Sequence, residues 1–242
     1  MLDLKPKPEL KSCPTPTSLF IGREDILSQL HERFSPSPTS VLSAEQRVFV
    51  LYGLGGEWKT QIGLQFVHEC QVGTQSPRYS PFEFHYSTFE LMALCATSFS
   101  EVFFIDASTA ETIDTDLRNI ALAKEIGNTA EDAILWLAVQ REEWLLLFDG
   151  ADDAALNLRK FFPQCSHGNI LITSRNPETR VHSPHFNCKV SDMTQGEATR
   201  LLLDIIMANV EVTDDTQSLA ASIVKVHPIP DVFCLCAHPK TR

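Results

Sequence analysis

Short apolar runs recur along the chain, each stopping at glycine or at an acid, with amphipathic stretches between them. Arg47-Val-Phe-Val-Leu-Tyr52 halts at Gly53, and residues 102–105, 144–148 and 169–173 share its β-branched and aromatic character. Lys189-Val190 is a fifth and weaker run. Strands covered on both faces read in this way, as unbroken apolar runs rather than alternating ones. The stretches between them carry helical periodicity. Over 24–34, Ile26, Leu27, Leu30 and Phe34 share one face, and Ser35-Pro-Ser-Pro-Thr-Ser ends that helix. Further helices are expected over 59–70 (Ile62, Leu64, Phe66, Val67), over 130–140 (Ala133, Ile134, Leu137, Ala138) and from 195 to about 210. Buried strands alternating with helices predict an α/β fold, a three-layer α/β/α arrangement on a mainly parallel five-stranded sheet.

The pattern also suggests boundaries. Residues 1–19, rich in Pro, Lys, Ser and Thr, read as an extended leader to a domain over 20–226. Residues 72–98 interrupt the first crossover with irregular, aromatic-rich sequence where a crossover needs only about a dozen residues. Residues 227–242 form a tail in which Asp231 to Arg242 break off a helical pattern without capping residues.

Composition narrows the function classes. With 242 residues, 43% hydrophobic and 21% charged, the chain can bury one sizeable core and is not a disordered type. A formal net charge of -11 argues against general affinity for nucleic acid or for acidic membrane surfaces. No apolar run approaches the about 20 residues of a membrane helix, and the charged, proline-broken start lacks a secretory h-region. The 7 cysteines are scattered without CxxC pairs, which favours reduced thiols and a cytoplasmic location. Cys234-x-Cys236-x-His238 has no second ligand pair at zinc spacing and is set aside as a metal site.

The chemistry concentrates in Gly53-Leu-Gly55-Gly56-Glu-Trp58-Lys59-Thr60, which follows a strand and opens a helix. Glycines let successive amide groups converge on phosphate oxygens at a positive helix terminus. Lys59 would reach the β- and γ-phosphates, and the Thr60 hydroxyl would help hold Mg²⁺. The pattern G-x-x-x-x-G-K-[ST] is broken at its second glycine by Trp58, where a left-handed backbone costs about 1–2 kcal/mol for a residue with a Cβ. The competing reading is a glycine-rich turn with no ligand. Downstream, the 144–148 run delivers Asp149 to the carboxyl edge of the sheet, where a carboxylate can hold Mg²⁺. At least one of Asp152 and Asp153 reads more simply as a cap of the next helix. The strand Asn169-Ile-Leu-Ile-Thr173 ends in Ser174-Arg175, whose guanidinium could report on a γ-phosphate or pair with some acid at the surface.

In this order the motifs resemble the NB-ARC group of STAND P-loop NTPases, and most closely its fungal members with tetratricopeptide repeats. Phe20-Ile21-Gly22-Arg23-Glu24 resembles the group's adenine-contacting segment; Gly53 to Gln61, Trp58 apart, resembles its GLGGxGKTQ loop. Residues 102–107 resemble its second strand, and 145–153 its acidic strand, with Gly150 in place of asparagine or a second acid. Residues 172–175 resemble its sensor strand, and Val190-Ser-Asp-Met-Thr with Glu197-Ala198 its next strand and helix.

The resemblance spans roughly 19–226 and implies ADP or ATP with Mg²⁺ as ligands, both put in question by Trp58. It implies Phe20, Ile21, Arg23, Gly53, Gly55, Gly56, Lys59, Thr60 and Gln61 as nucleotide contacts, Thr60 and Asp149 as metal ligands, and Asp149 and Arg175 as candidate catalytic residues. Self-association is a further expectation; nucleic acid and membrane partners are not expected. Where the group has a GLPLA segment this chain has His227-Pro-Ile-Pro-Asp, so the winged-helix and sensor-repeat parts are expected to be missing. The pattern runs clean to Cys70 and resumes at Glu101, so 72–98 and 231–242 are expected to come from an imperfect gene model. Transcripts from several isolates encoding both segments would refute that. The implied function is the nucleotide-binding core of a signalling switch with weak or absent hydrolysis. Its alternative is a non-binding relic or interaction module of the same fold, and a metabolic kinase lacks any acceptor site.

Overall fold

The computed structural model describes residues 10–17, 20–35, 45–56, 58–72, 99–206 and 213–226. The irregular insertion beyond Val72, the C-terminal tail with its Cys234-x-Cys236-x-His238 cluster, and any continuation of the 195–210 helix past Ile206 lie outside the described residues.

Five strands, β1 (Arg47–Tyr52), β2 (Glu101–Asp106), β3 (Trp144–Asp149), β4 (Asn169–Ser174) and β5 (Asn187–Lys189), make one sheet in the order β2-β3-β4-β1-β5. Every pairing is parallel. Burial follows position in the sheet. All residues of the central β4 are buried, whereas the edge strand β2 alternates. Period-two alternation sorts the side chains between two faces. Phe49, Leu51, Leu145, Leu147 and Leu171 face the helices α1 (Glu24–Phe34) and α2 (Lys59–Val72). Val50, Leu146, Phe148, Ile170 and Ile172 face α3 (Ala110–Ala123), α4 (Ala130–Val139) and a 3-10 turn at Leu158–Phe161. The result is the three-layer α/β/α architecture, with helices on both faces of a parallel sheet.

Of the helices between β2 and β3, only α4 was given bounds from the sequence, although α3 also carries Ile113, Leu117, Ile120 and Ala121 at helical spacing. A reciprocal cap opens α3: the Thr109 hydroxyl accepts from the Thr112 amide, and Thr112 returns a bond to the Thr109 amide. Thr129 and Asp132 repeat the device at α4. Asp152 and Asp153 do not cap the next helical turn. That turn begins after Asn157, Asp153 Oδ1 accepts the Ala155 amide at 2.8 Å, and Asp152 is engaged with Arg175. An ionic partner within reach outcompetes a cap several residues away.

Two further pieces join this core. The helices α5 (Gln195–Ile206) and α6 (Asp214–Val226) form a pair closed by Ala198, Leu202, Ala220 and Val224. Residues 10–17 carry no helix or strand but pack on the α1/α2 face. Lys11 lies 3.3 Å from Asp116 and 5.1 Å over the Phe104 ring, and the Thr17 amide donates to Gln61 Oε1 at 2.8 Å. No helix among the described residues is long and apolar enough to cross a membrane.

Gly168, at φ 81, precedes β4 under the fully buried Trp144, whose Nε1 donates to the Leu137 carbonyl at 3.0 Å. A Cβ at Gly168 would overlap the indole. Gly168→Ala is therefore expected to cost about 2–4 kcal/mol through left-handed strain and overpacking. A chemical-denaturation curve checks this.

Candidate functional site

The glycine loop leaves β1 at Gly53, whose amide donates to the Ser174 carbonyl at the end of β4 at 3.1 Å. Strands in a sheet stand about 4.8 Å apart, so β3, two strands from β1, ends roughly 10 Å away. The loop and first turn of α2 close that gap by passing back over β4. Gly63 helps, because a Cβ there would already touch Leu147 and Leu171 at 3.4 and 3.6 Å. The Thr60 hydroxyl then donates to Asp149 Oδ1 at 2.7 Å. Thr173, on the intervening strand, donates to the same oxygen at 2.6 Å and accepts the Gly150 amide at 2.9 Å. Loop, acid and sensor strand meet at one oxygen.

The chain has the P-loop NTPase fold. A glycine loop between the first strand and its helix, Lys59-Thr60 at the helix start and Asp149 from a non-adjacent parallel strand meet at the carboxyl edge, where open α/β sheets bind ligands. No family model and no curated protein matches the sequence. Among solved structures, one chain of the HORMA:CdnC:Trip13 complex of E. coli MS115-1 is similar over 93% of this chain and 85% of its own, at 11% identity and a TM-score of 0.50. Cdc6p from Pyrobaculum aerophilum is similar over 88% of this chain at 16% identity and a TM-score of 0.49; the chain spans 56% of its length. A STAND protein with a tetratricopeptide repeat sensor from Pyrococcus horikoshii is similar over 90% of this chain and 29% of its own, at 14% identity and a TM-score of 0.47. At 11% identity, the likeness to the chain of the E. coli MS115-1 complex concerns the fold alone.

Trp58 holds φ 63, the left-handed conformation that glycine supplies in this pattern, and its carbonyl accepts the Ile62 amide at 2.8 Å to start α2. The backbone path of the loop survives at a strain of about 1–2 kcal/mol. Gly55 and Gly56 are exposed at the tip, beside Leu54 at 73% exposure. Lys59 is buried, with its ammonium on the Leu54 carbonyl. An ammonium curled onto its own loop carbonyl can exchange that partner for phosphate. Gly150 has φ 76 and open space where a side chain would stand.

Other expected residues have different employment. Gln61 accepts the Thr17 amide and so holds residues 10–17, as described above. Phe20 packs at the rim of the α1/α2 core. Arg23, at φ 68 and 6% exposed, donates from Nη2 to the Ser191 carbonyl at 2.6 Å, and its amide donates to Glu197 Oε1 at 3.1 Å. Arg175 pairs with an acid: its amide and Nε donate to the two carboxylate oxygens of Asp152, each at 2.6 Å. The motifs gave Thr173, Ser191 and Thr194 no role of their own and gave Asp152 only a capping one; Thr194-x-x-Glu197, a capping-box spacing, is the signal that could have found Thr194. An open groove of about 800 Å³ between α5 and α6, lined by Gln195, Thr199, Leu203 and Gln217, involves none of the loop residues.

Burial disfavours the thiolate at three of the described cysteines. Burial pushes Cys13 up to about 11, with the Asp149 charge adding to it, and burial raises Cys70 and Cys188 as well. Glu197 shows the opposite outcome. Burial pushes its carboxyl up, but bonds from the Thr194 amide (2.7 Å), the Thr194 hydroxyl (2.8 Å) and the Arg23 amide, with the Arg23 charge, outweigh it. The folded value lies below the ordinary 4.5, so this contact stabilises the fold above that pH and is lost as pH falls through the folded value. Thermal melts of the parent and Glu197→Gln should differ at neutral pH and converge in acid.

Proposed function

We propose that this chain is the adenine-nucleotide-binding core of a STAND-type switch, one that works by binding rather than by rapid turnover. The observation carrying this reading is the 2.7 Å bond between Thr60 and Asp149 at the mouth of the glycine loop. Mg²⁺ in phosphate sites takes one or two protein oxygens and fills its other positions with phosphate and water. A hydroxyl and a carboxylate converging beside a helix N-terminus fit that demand, so Thr60 and Asp149 would hold the ion. Bound there, it would neutralise the β- and γ-phosphate oxygens. The amides of Gly55 and Gly56 and the ammonium of Lys59 would cradle the phosphates, and the Phe20 to Arg23 segment would border the base.

Weak hydrolysis follows from the residue after Asp149. Gly150, with open space where a side chain would stand, brings no group to orient a water. A switch tolerates this, because a nucleotide shifts a conformational equilibrium by its differential affinity for two states, whatever its turnover. The α5/α6 pair, tied to Arg23 through Glu197, is the element that such a ligand would bias.

The second reading, an interaction module that has kept the fold without the ligand, is favoured by Trp58. Calorimetric titration with ADP and with ATP, both with Mg²⁺, separates the two in the natural chain and in Trp58→Gly. The switch reading expects binding by both forms, tighter by about tenfold after the substitution, as the indole no longer stands beside the phosphates. Binding by Trp58→Gly alone supports the relic, and binding by neither overturns the nucleotide reading altogether.

A further inference from the structure

Asp152 lies beyond the end of β3 and Arg175 just beyond the end of β4, so the neighbouring strands bring an acid and a base together at the edge that carries the glycine loop. Their contact is two-pronged. Asp152 Oδ1 accepts the Arg175 amide and Oδ2 accepts Nε, each at 2.6 Å, which fixes the side chain relative to its own backbone. So held, Arg175 runs along the phosphate loop. A Cβ built on Gly55 would stand 3.6 Å from Arg175 Cδ and 4.0 Å from Nη1. The carboxylate engages Nε and leaves Nη1 and Nη2 without a hydrogen-bond partner among the described residues, on a side chain that is 65% exposed. Two parallel N–H groups are the fork that matches phosphate oxygens. Asp152 is itself anchored: its amide donates to the Gly150 carbonyl at 2.8 Å and its side chain is 28% exposed.

We propose that Asp152 is a positioning residue that presents the Arg175 guanidinium to the terminal phosphate of a bound nucleoside triphosphate, and so sets the preference for triphosphate over diphosphate. This rests on the nucleotide-binding reading above and adds to it the device that distinguishes the two ligands.

The test is the ratio of ADP to ATP dissociation constants, with Mg²⁺, for the full chain and for the same chain carrying Trp58→Gly. Each background is compared with Asp152→Ala, Asp152→Asn, Arg175→Ala and the Asp152→Ala/Arg175→Ala double variant. The preference for ATP is expected to fall about tenfold in Asp152→Ala and in Arg175→Ala, and no further in the double variant. ADP affinity should stay within about twofold throughout. Asp152→Asn keeps an oxygen for the Arg175 amide but loses the charge facing Nε, and should fall between. A ratio of two affinities is indifferent to the folded fraction, so a variant that merely folds less well leaves it unchanged. A ratio unchanged in Asp152→Ala, or raised because the acid had been withholding the arginine, overturns the proposal while leaving nucleotide binding intact. No binding in either background overturns the nucleotide reading and this proposal with it.

Discussion

The Asp149 carboxylate accepts hydroxyl hydrogen bonds from Thr60 at 2.7 Å and Thr173 at 2.6 Å on a single oxygen, and the carboxyl edge of the sheet is organised around that point. Thr60 brings the first turn of α2, and with it the glycine loop; Thr173 brings β4, and through the Gly150 amide the path of the chain leaving β3. Without this convergence the edge would be a set of loops, each satisfying its own backbone groups. With it, Lys59, Thr60, Asp149 and Arg175 share one rim. The same oxygen is where the proposed divalent cation would bind.

Trp58 shows how backbone geometry and side-chain chemistry separate. At φ 63 it keeps the conformation that glycine supplies here, because flanking constraints outweigh a strain of about 1–2 kcal/mol. Gly53 is held by Ser174 on one side, and Ile62 draws on the Trp58 carbonyl on the other. The substitution therefore bears on phosphate binding through the added indole rather than through a collapsed loop. Gly150 differs in kind, since it leaves space empty where Trp58 fills it.

A second set of contacts ties the helical pair to the body. Glu197 caps its own helix through Thr194 and also receives the Arg23 amide, while Arg23 holds the Ser191 carbonyl at the exit of β5. Gly22 lies against the same carboxylate, leaving no room for a Cβ. The α5/α6 pair, whose own core is only a few residues, thus takes its register from the segment that leads into α1.

The alternation of apolar runs with amphipathic stretches determined the layers, because strands buried on both faces need unbroken apolar sequence and helices need one apolar side. Gly53 to Thr60 marked the phosphate loop for the same local reason, since glycine spacing and the following helix are properties of neighbouring residues. α3 was legible both in the Thr109 and Thr112 cap and in Ile113, Leu117, Ile120 and Ala121 at helical spacing, and the strand at 187–189 was displaced from Lys189-Val190 because the ladder to β1 decides its limits. What tertiary structure alone decided is which distant polar groups meet. Strand order placed Thr173 between Thr60 and Asp149, drew Asp152 away from a capping role to Arg175, turned Arg23 to Ser191 and Gln61 to Thr17. Each of those residues had several plausible partners by charge or hydrogen-bonding capacity; only the packing of the sheet brings one of them within 3 Å.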